Sequence, residues 1–136
     1  VGDRVLNEIA SVIEGALRRS DVAYRWGGEE FAVTLPNTPC AGAMVAAERI
    51  RAAIEGYDFR TGTVTVSIGL AERRGDEDGF DLMGRADDAL YEAKAAGRNR
   101  VAQASWRLSS APSDAAPRSG SARTPRPPYQ HRDSSL

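Results

Sequence analysis

The chain has 136 residues, 41% of them apolar and 27% charged, with a formal net charge of −1, a balance expected of one globular domain. No run in it approaches the roughly 20 apolar residues of a membrane helix, there is no signal-peptide core, and a single cysteine, Cys40, leaves no internal disulfide or cysteine metal cluster to this sequence. Residues 1–104 carry 13 basic and 17 acidic side chains, which argues against non-specific nucleic-acid binding, and the whole pattern agrees with a cytoplasmic protein.

Val5, Leu6, Ile9, Val12, Ile13, Ala16 and Leu17 recur at spacings of three and four, which predicts a helix over residues 3–19 with one apolar face. Asp3 suits its N-terminal end. Two β-prone runs, residues 22–26 and 29–35, flank Gly27 and Gly28 and predict a hairpin, because glycine tolerates the positive φ angles of tight turns. Pro36 and Pro39 end the second strand and lead into a helix over residues 40–55, its apolar side carrying Met44, Ala47, Ile50 and Ile54. Cys40 is a structural residue near that helix start.

Residues 63–70 alternate strictly, with Val64, Val66, Ile68 and Leu70 on one face, the pattern of a half-buried strand. An acidic loop over residues 72–79 follows. Phe80, Leu82, Met83, Ala86, Leu90 and Ala93 then mark a third helix, with Gly97 as its C-terminal cap, and residues 100–103 read as a short last strand. The order α-β-β-α-β-α-β describes an α/β (α+β) domain over residues 1–104, a sheet with helices packed on it. Residues 105–136 hold five of the seven prolines, many serines and almost no aliphatic side chain, too little apolar surface to offset ordering entropy. They read as a disordered, Pro/Ser/Arg-rich tail in which five arginines outnumber two aspartates. A spacer is the reading adopted; contact with a polyanion is the alternative. His131, the only histidine, lies in this tail and reads as inert.

Arg25-Trp26-Gly27-Gly28-Glu29-Glu30-Phe31 is the strongest local signal. Two glycines let backbone approach a bulky ligand closely, and adjacent carboxylates offer the hard oxygen ligands that Mg²⁺ prefers. A glycine hairpin with merely solvated glutamates is the other reading. A regular pleat also points consecutive residues to opposite faces, so if Glu29 and Glu30 serve one site the turn must be distorted. Asp3 by itself reads as a helix cap. Lys94 and Arg98, four apart, are placed on one edge of the last helical turns, where by themselves they read as solvated complements to the helix dipole. Arg18 and Asp21 form an Arg-x-x-Asp that also fits a helix-end ion pair.

The hairpin spelling resembles the signature of GGDEF-domain diguanylate cyclases. Gly2-Asp3 with Val5-Leu6, the run Val66-Ser67-Ile68-Gly69, and Ala86-Asp87 through Tyr91-Glu92-Ala93-Lys94-Ala95-Ala96-Gly97-Arg98-Asn99 match that family in order and spacing. The resemblance covers roughly residues 1–101 and implies a nucleotide-cyclase-like central sheet. It implies condensation of two GTP into cyclic di-GMP with loss of two pyrophosphates, assisted by Mg²⁺ or Mn²⁺ at Glu29 and Glu30, the catalytic positions. GTP binding falls to Asp3, Leu6, Gly27, Gly28, Lys94 and Arg98, with Leu6 packing against the base. Arg18, Asp21 and Arg49 match an inhibitory site for the product.

The family domain also has an upstream Leu-Thr-Gly-Leu-x-Asn-Arg-Arg helix, a first central strand ending in Asp-x-Asp, and an asparagine that binds guanine, none of which this sequence contains. The expectation is that these 136 residues alone fold poorly or bind GTP and metal weakly. A homodimer joining two GTP-loaded domains, and a sensory or receiver module upstream in a parent protein, membrane-anchored or not, are the implied partners. The competing readings are a cyclic di-GMP receptor built on Arg18, Asp21 and Arg49, another nucleotide cyclase or polymerase-like transferase, and a purely structural domain.

Overall fold

The computed structural model describes residues 2–105, so residues 106–136 of the expected tail, His131 among them, lie outside the described residues. In chain order the elements are α1 (Asp3–Gly15), β1 (Val22–Gly27), β2 (Glu30–Thr34), α2 (Cys40–Glu55), β3 (Ile68–Leu70), α3 (Gly79–Ala95) and β4 (Val101–Gln103). The predicted order stands, with helices on small sheets.

Helix α1 buries Leu6, Ile9 and Ile13. It stops short of the predicted bound at residue 19. The N–H groups of Ala16 and Leu17 reach back three residues to the carbonyls of Ile13 and Glu14 (3.0 and 3.2 Å), the tightening with which a helix ends. The Asp21 carboxylate then takes the N–H of Arg18 at 2.8 Å, which turns the chain toward β1.

Strands β1 and β2 pair antiparallel from Val22↔Thr34 to Gly27↔Glu30, with a bulge between Arg25 and Gly27. The turn is therefore Gly28 and Glu29, one residue later than the sequence suggests, and Gly28 takes the positive φ (44°) that the turn demands. Helix α2 has the predicted bounds and buries Ala47, Ile50 and Ile54.

Strands β3 and β4 pair in parallel, Ile68↔Val101 to Leu70↔Gln103, and α3 supplies the crossover that a parallel pair needs. Only residues 68–70 of the predicted 63–70 strand belong to a ladder; among the described residues the preceding segment has no ladder partner. Its alternation still shows in burial, because Val66 is in the core and Val64 packs against it. The core joins Leu6, Ile9 and Ile13 of α1 to Ile50 and Ile54 of α2, with Phe59 and Val66 from the connection to β3.

Helix α3 starts at Asp78, whose Oδ1 accepts from the Asp81 N–H at 2.8 Å. It packs on β3 through small residues: Ala89 and Ala93 are buried, and a Cβ built on Gly69 would collide with the Ala86 carbonyl oxygen and with the Leu90 N and Cα. All of these are backbone atoms, which cannot swing aside. Gly69→Ala should therefore lower unfolding free energy by about 1–3 kcal/mol, the usual cost of overpacking. Gly84→Ala, on an open stretch of the same helix, should instead raise it by up to about 1 kcal/mol through helix propensity. Urea denaturation of the two variants beside the parent chain measures both signs.

Candidate functional site

The β1–β2 turn resolves the conflict between consecutive glutamates and a regular pleat. Glu30 opens β2 opposite Gly27, whereas Glu29 stands in the turn, outside the pleat. The bulge at Trp26 adds the distortion that a bulge brings to a sheet edge. Around Gly27 there is open space even for an added Cβ, so a ligand can reach its backbone. Arg25 secures the turn from the strand: its Nη2 donates to the Gly28 carbonyl at 3.1 Å, and its guanidinium carbon lies 5.7 Å from the centre of the Phe31 ring. The sequence reading assigned Arg25 no role. Its position opposite Phe31 is the signal that would have found it.

Glu29 and Glu30 are both half-buried. Among the described residues no group of three or more His, Cys, Asp or Glu side chains could hold a metal ion. Two adjacent oxygen donors still suit Mg²⁺, which is held by one or two carboxylates together with substrate phosphates and retained waters.

Asp3 lies in the first turn of α1, but the N-cap is Gly2 and no side chain caps this helix. The carboxylate is exposed and is not consumed by capping, contrary to the simpler of its two sequence readings. Leu6, one turn on, is 4% exposed and belongs to the core beneath Asp3.

Lys94 occupies the last turn of α3, but Arg98 does not share that helix edge. The helix ends at Ala95, and Gly97, Arg98 and Asn99 follow with φ of 129°, 64° and 48°. The Arg98 N–H reaches the Ala93 carbonyl at 3.0 Å and the Gly97 N–H reaches that of Lys94 at 3.3 Å, a Schellman closure with glycine at its left-handed position. Backbone geometry, rather than helical periodicity, relates the two cations.

Arg18 and Asp21 form a bidentate pair, Nε to Oδ2 at 3.3 Å and Nη2 to Oδ1 at 3.2 Å. The Asp21 side chain is only 3% exposed, against 58% for Arg18. The hydrogen bonds from the Arg18 side chain, then from its backbone N–H, hold the Asp21 carboxyl below the usual carboxylate range. Arg18 Nη2 also donates to Thr38 Oγ1 at 2.6 Å, a partner the sequence reading missed. Arg49, from α2, donates to the Ala16 carbonyl at 3.3 Å, which brings it to the end of α1 beside this turn. No helix among the described residues is long and apolar enough to cross a membrane.

Comparison with known proteins identifies the family. The family model for the diguanylate cyclase GGDEF domain matches residues 1–100. Diguanylate cyclase A of Treponema denticola is 48% identical over 105 residues, spanning 74% of this chain and 28% of that protein. Diguanylate cyclase DgcM of Escherichia coli K12 is 46% identical over 101 residues, 74% of this chain and 25% of that protein. The chain thus spans about a quarter of the length of the curated relatives it matches. Among solved structures, the GGDEF domain of DgcB from Caulobacter crescentus in complex with c-di-GMP superposes with a TM-score of 0.70 at 39% identity, covering 75% of this chain and 64% of that one. With a family model matched over most of its length and a shared nucleotide-cyclase-like fold, the chain belongs to the diguanylate cyclase GGDEF-domain family.

Proposed function

We propose that this domain condenses two GTP molecules into cyclic di-GMP, releasing two pyrophosphates. In each half-reaction a ribose 3′-oxygen loses its proton and forms a bond to the α-phosphorus of the other nucleotide, while the bond to the β-phosphate breaks and pyrophosphate leaves. Glu29 and Glu30 hold Mg²⁺ or Mn²⁺ together with the triphosphate. The metal, when bound, favours the deprotonated nucleophile and offsets charge on the phosphates. The observation that carries this reading is the displacement of Glu29 from strand to turn, which frees two consecutive carboxylates from opposite faces of a pleat.

Asp3 reads guanine. Its uncapped, exposed carboxylate matches the N1–H and 2-amino donors, a pair that adenine lacks. Leu6 supports that end of α1 from the core. Gly27 and Gly28 leave room for the nucleotide, and Lys94 and Arg98, held on either side of the α3 closure, take its terminal phosphates. Each domain loads one GTP, so catalysis requires two domains face to face. In the relatives most of the polypeptide lies outside the matched region, which leaves room for a sensory or receiver module that brings domains together. GTP as substrate assigns the reaction to the cytoplasm.

The full-length protein with GTP and Mg²⁺ should yield cyclic di-GMP, and Glu29→Gln should lower that rate about a hundredfold or more, the loss of a few kcal/mol of charge stabilisation. Asp3→Ala should erode the preference for GTP over inosine triphosphate, which lacks the 2-amino group. Product formation by Glu29→Gln at the parent rate would overturn the reading.

The product docks as an inhibitor at Arg18 and Asp21, with Arg49 completing the site. The convergence of both arginines on the α1–β1 turn supports this, and c-di-GMP is present in the DgcB structure. Because Asp21 is already paired, the ligand must exchange with Arg18 for the carboxylate. The depressed Asp21 value gives the sign of its pH effect: the stability it contributes is complete above the ordinary carboxylate range and is lost as pH falls through the folded-state value. Carboxyl-carbon NMR should show Asp21 titrating below the usual carboxylate range, and Arg18→Gln should raise it toward that range, the bond from the backbone N–H of residue 18 remaining.

A further inference from the structure

The left-handed segment after α3 is clamped from a distant helix. Asn99 is gripped on three sides. Its Oδ1 accepts from Arg51 Nη1 at 2.8 Å, its Nδ2 donates to Glu55 Oε2 at 3.1 Å, and its backbone N–H donates to Ser67 Oγ at 3.2 Å. An amide alone, among small side chains, meets a guanidinium and a carboxylate at once, one end accepting and the other donating. Asparagine is also the residue that, after glycine, best tolerates a positive φ.

Arg51 is itself held at both ends. Its Nη1 bonds Glu55 Oε1 at 2.9 Å, its Nε bonds Glu48 Oε2 at 2.9 Å, and its side chain is 16% exposed. Glu55 is the last residue of α2, where a carboxylate opposes the helix dipole. A local rule broken at that position signals a purpose elsewhere in the fold.

We propose that Arg51, Glu55 and Asn99 are positioning residues that lock the left-handed Arg98–Asn99 backbone and thereby set Arg98 for phosphate. The proposal rests on the reading of Lys94 and Arg98 as the phosphate pair. The Schellman closure fixes one side of Arg98 through its N–H, and the Asn99 clamp fixes the other. Arginine carries a β-carbon in a conformation that disfavours one (φ 64°), so the segment depends on these flanking restraints. The clamp ties α2 and the residue before β3 to the end of α3.

The test uses the full-length protein, with inorganic tripolyphosphate as the probe and amide hydrogen exchange as a second, ligand-free readout. N99G keeps the left-handed backbone accessible and the backbone bond to Ser67 but removes both side-chain contacts of the clamp, and R51M removes the cation that anchors it. Both should speed exchange at the Arg98 and Asn99 amides at least tenfold relative to core amides of α1 and weaken tripolyphosphate on the order of tenfold, the scale set by small misplacements of a binding group. N99D sets a carboxylate against Glu55 and should weaken the probe as well. The double variant N99D/E55Q exchanges donor for acceptor, restores the contact and should recover most of the lost affinity, which general destabilisation would not do. Unchanged local exchange in N99G and R51M overturns the proposal, as does faster exchange with unchanged tripolyphosphate affinity or failure of E55Q to rescue N99D. If the unsubstituted chain takes up no tripolyphosphate, the phosphate reading of Lys94 and Arg98 fails instead, and the exchange data show separately whether the clamp holds the backbone.

Discussion

The missing side chain at Gly69 sets how closely β3 can lie against α3, and the placement of Lys94 and Arg98 depends on that distance. With no β-carbon on the strand and alanines on the helix, strand meets backbone of Ala86 and Leu90 directly. Such close packing leaves the helix little freedom to slide or roll. The Schellman closure then converts a fixed helix end into a fixed loop, and the loop turns at once into β4, which pairs with the strand that the helix packs against. Lys94 and Arg98 thus sit on a short circuit of strand, helix, loop and strand, in which each element restrains the next.

The β1–β2 hairpin achieves precision by other means. It has few neighbours to brace it and relies on its own bonds: a bulge, a glycine with positive φ, and an arginine that spans from strand to turn. A hairpin alone is marginal in water, so packing of Ala23, Phe31 and Val33 against the core under α1 matters to the position of Glu29 as much as the turn itself. Asp3 rises from the start of that same helix. Asp3 and the turn glutamates, the proposed guanine reader and metal ligands, therefore share one foundation, the Leu6, Ile9 and Ile13 stripe, and an error in core packing there would displace both.

Periodicity made much of this legible. The bounds of α2, the succession of β3, α3 and β4 and the paired ends of the Arg18-x-x-Asp21 turn follow from spacing, prolines and one glycine cap. What stayed hidden was decided by hydrogen bonds that pattern does not encode. The apolar stripe of α1 runs on to Leu17 although its helical bonds end earlier, because Ala16 and Leu17 still pack on the core after the backbone has tightened. The hairpin turn slipped by one residue because a bulge changes the register without changing composition. Arg98 left the helix because Gly97 closes it, so a four-residue spacing that implies a shared face meant nothing beyond the cap. Residues 63–67 alternate as a strand does, yet alternation reports burial, and ladder formation needs a partner as well.

Charge explains why such local precision is required. Residues 1–104 carry more acid than base, and a triphosphate approaching the domain meets a field that opposes it. Several arginines do nothing to reverse this, since Arg18, Arg51 and Arg85 are each bonded to carboxylates of the fold. At physiological salt the field beyond roughly 8 Å is screened, so long-range steering is weak in either direction. On the proposed reading recognition then comes from contact: carboxylates that admit a divalent metal, and cations on a restrained backbone. A domain of this charge has little use for a cation placed approximately, and that is the physical reason to spend an arginine, a glutamate and an asparagine on holding a single loop residue still.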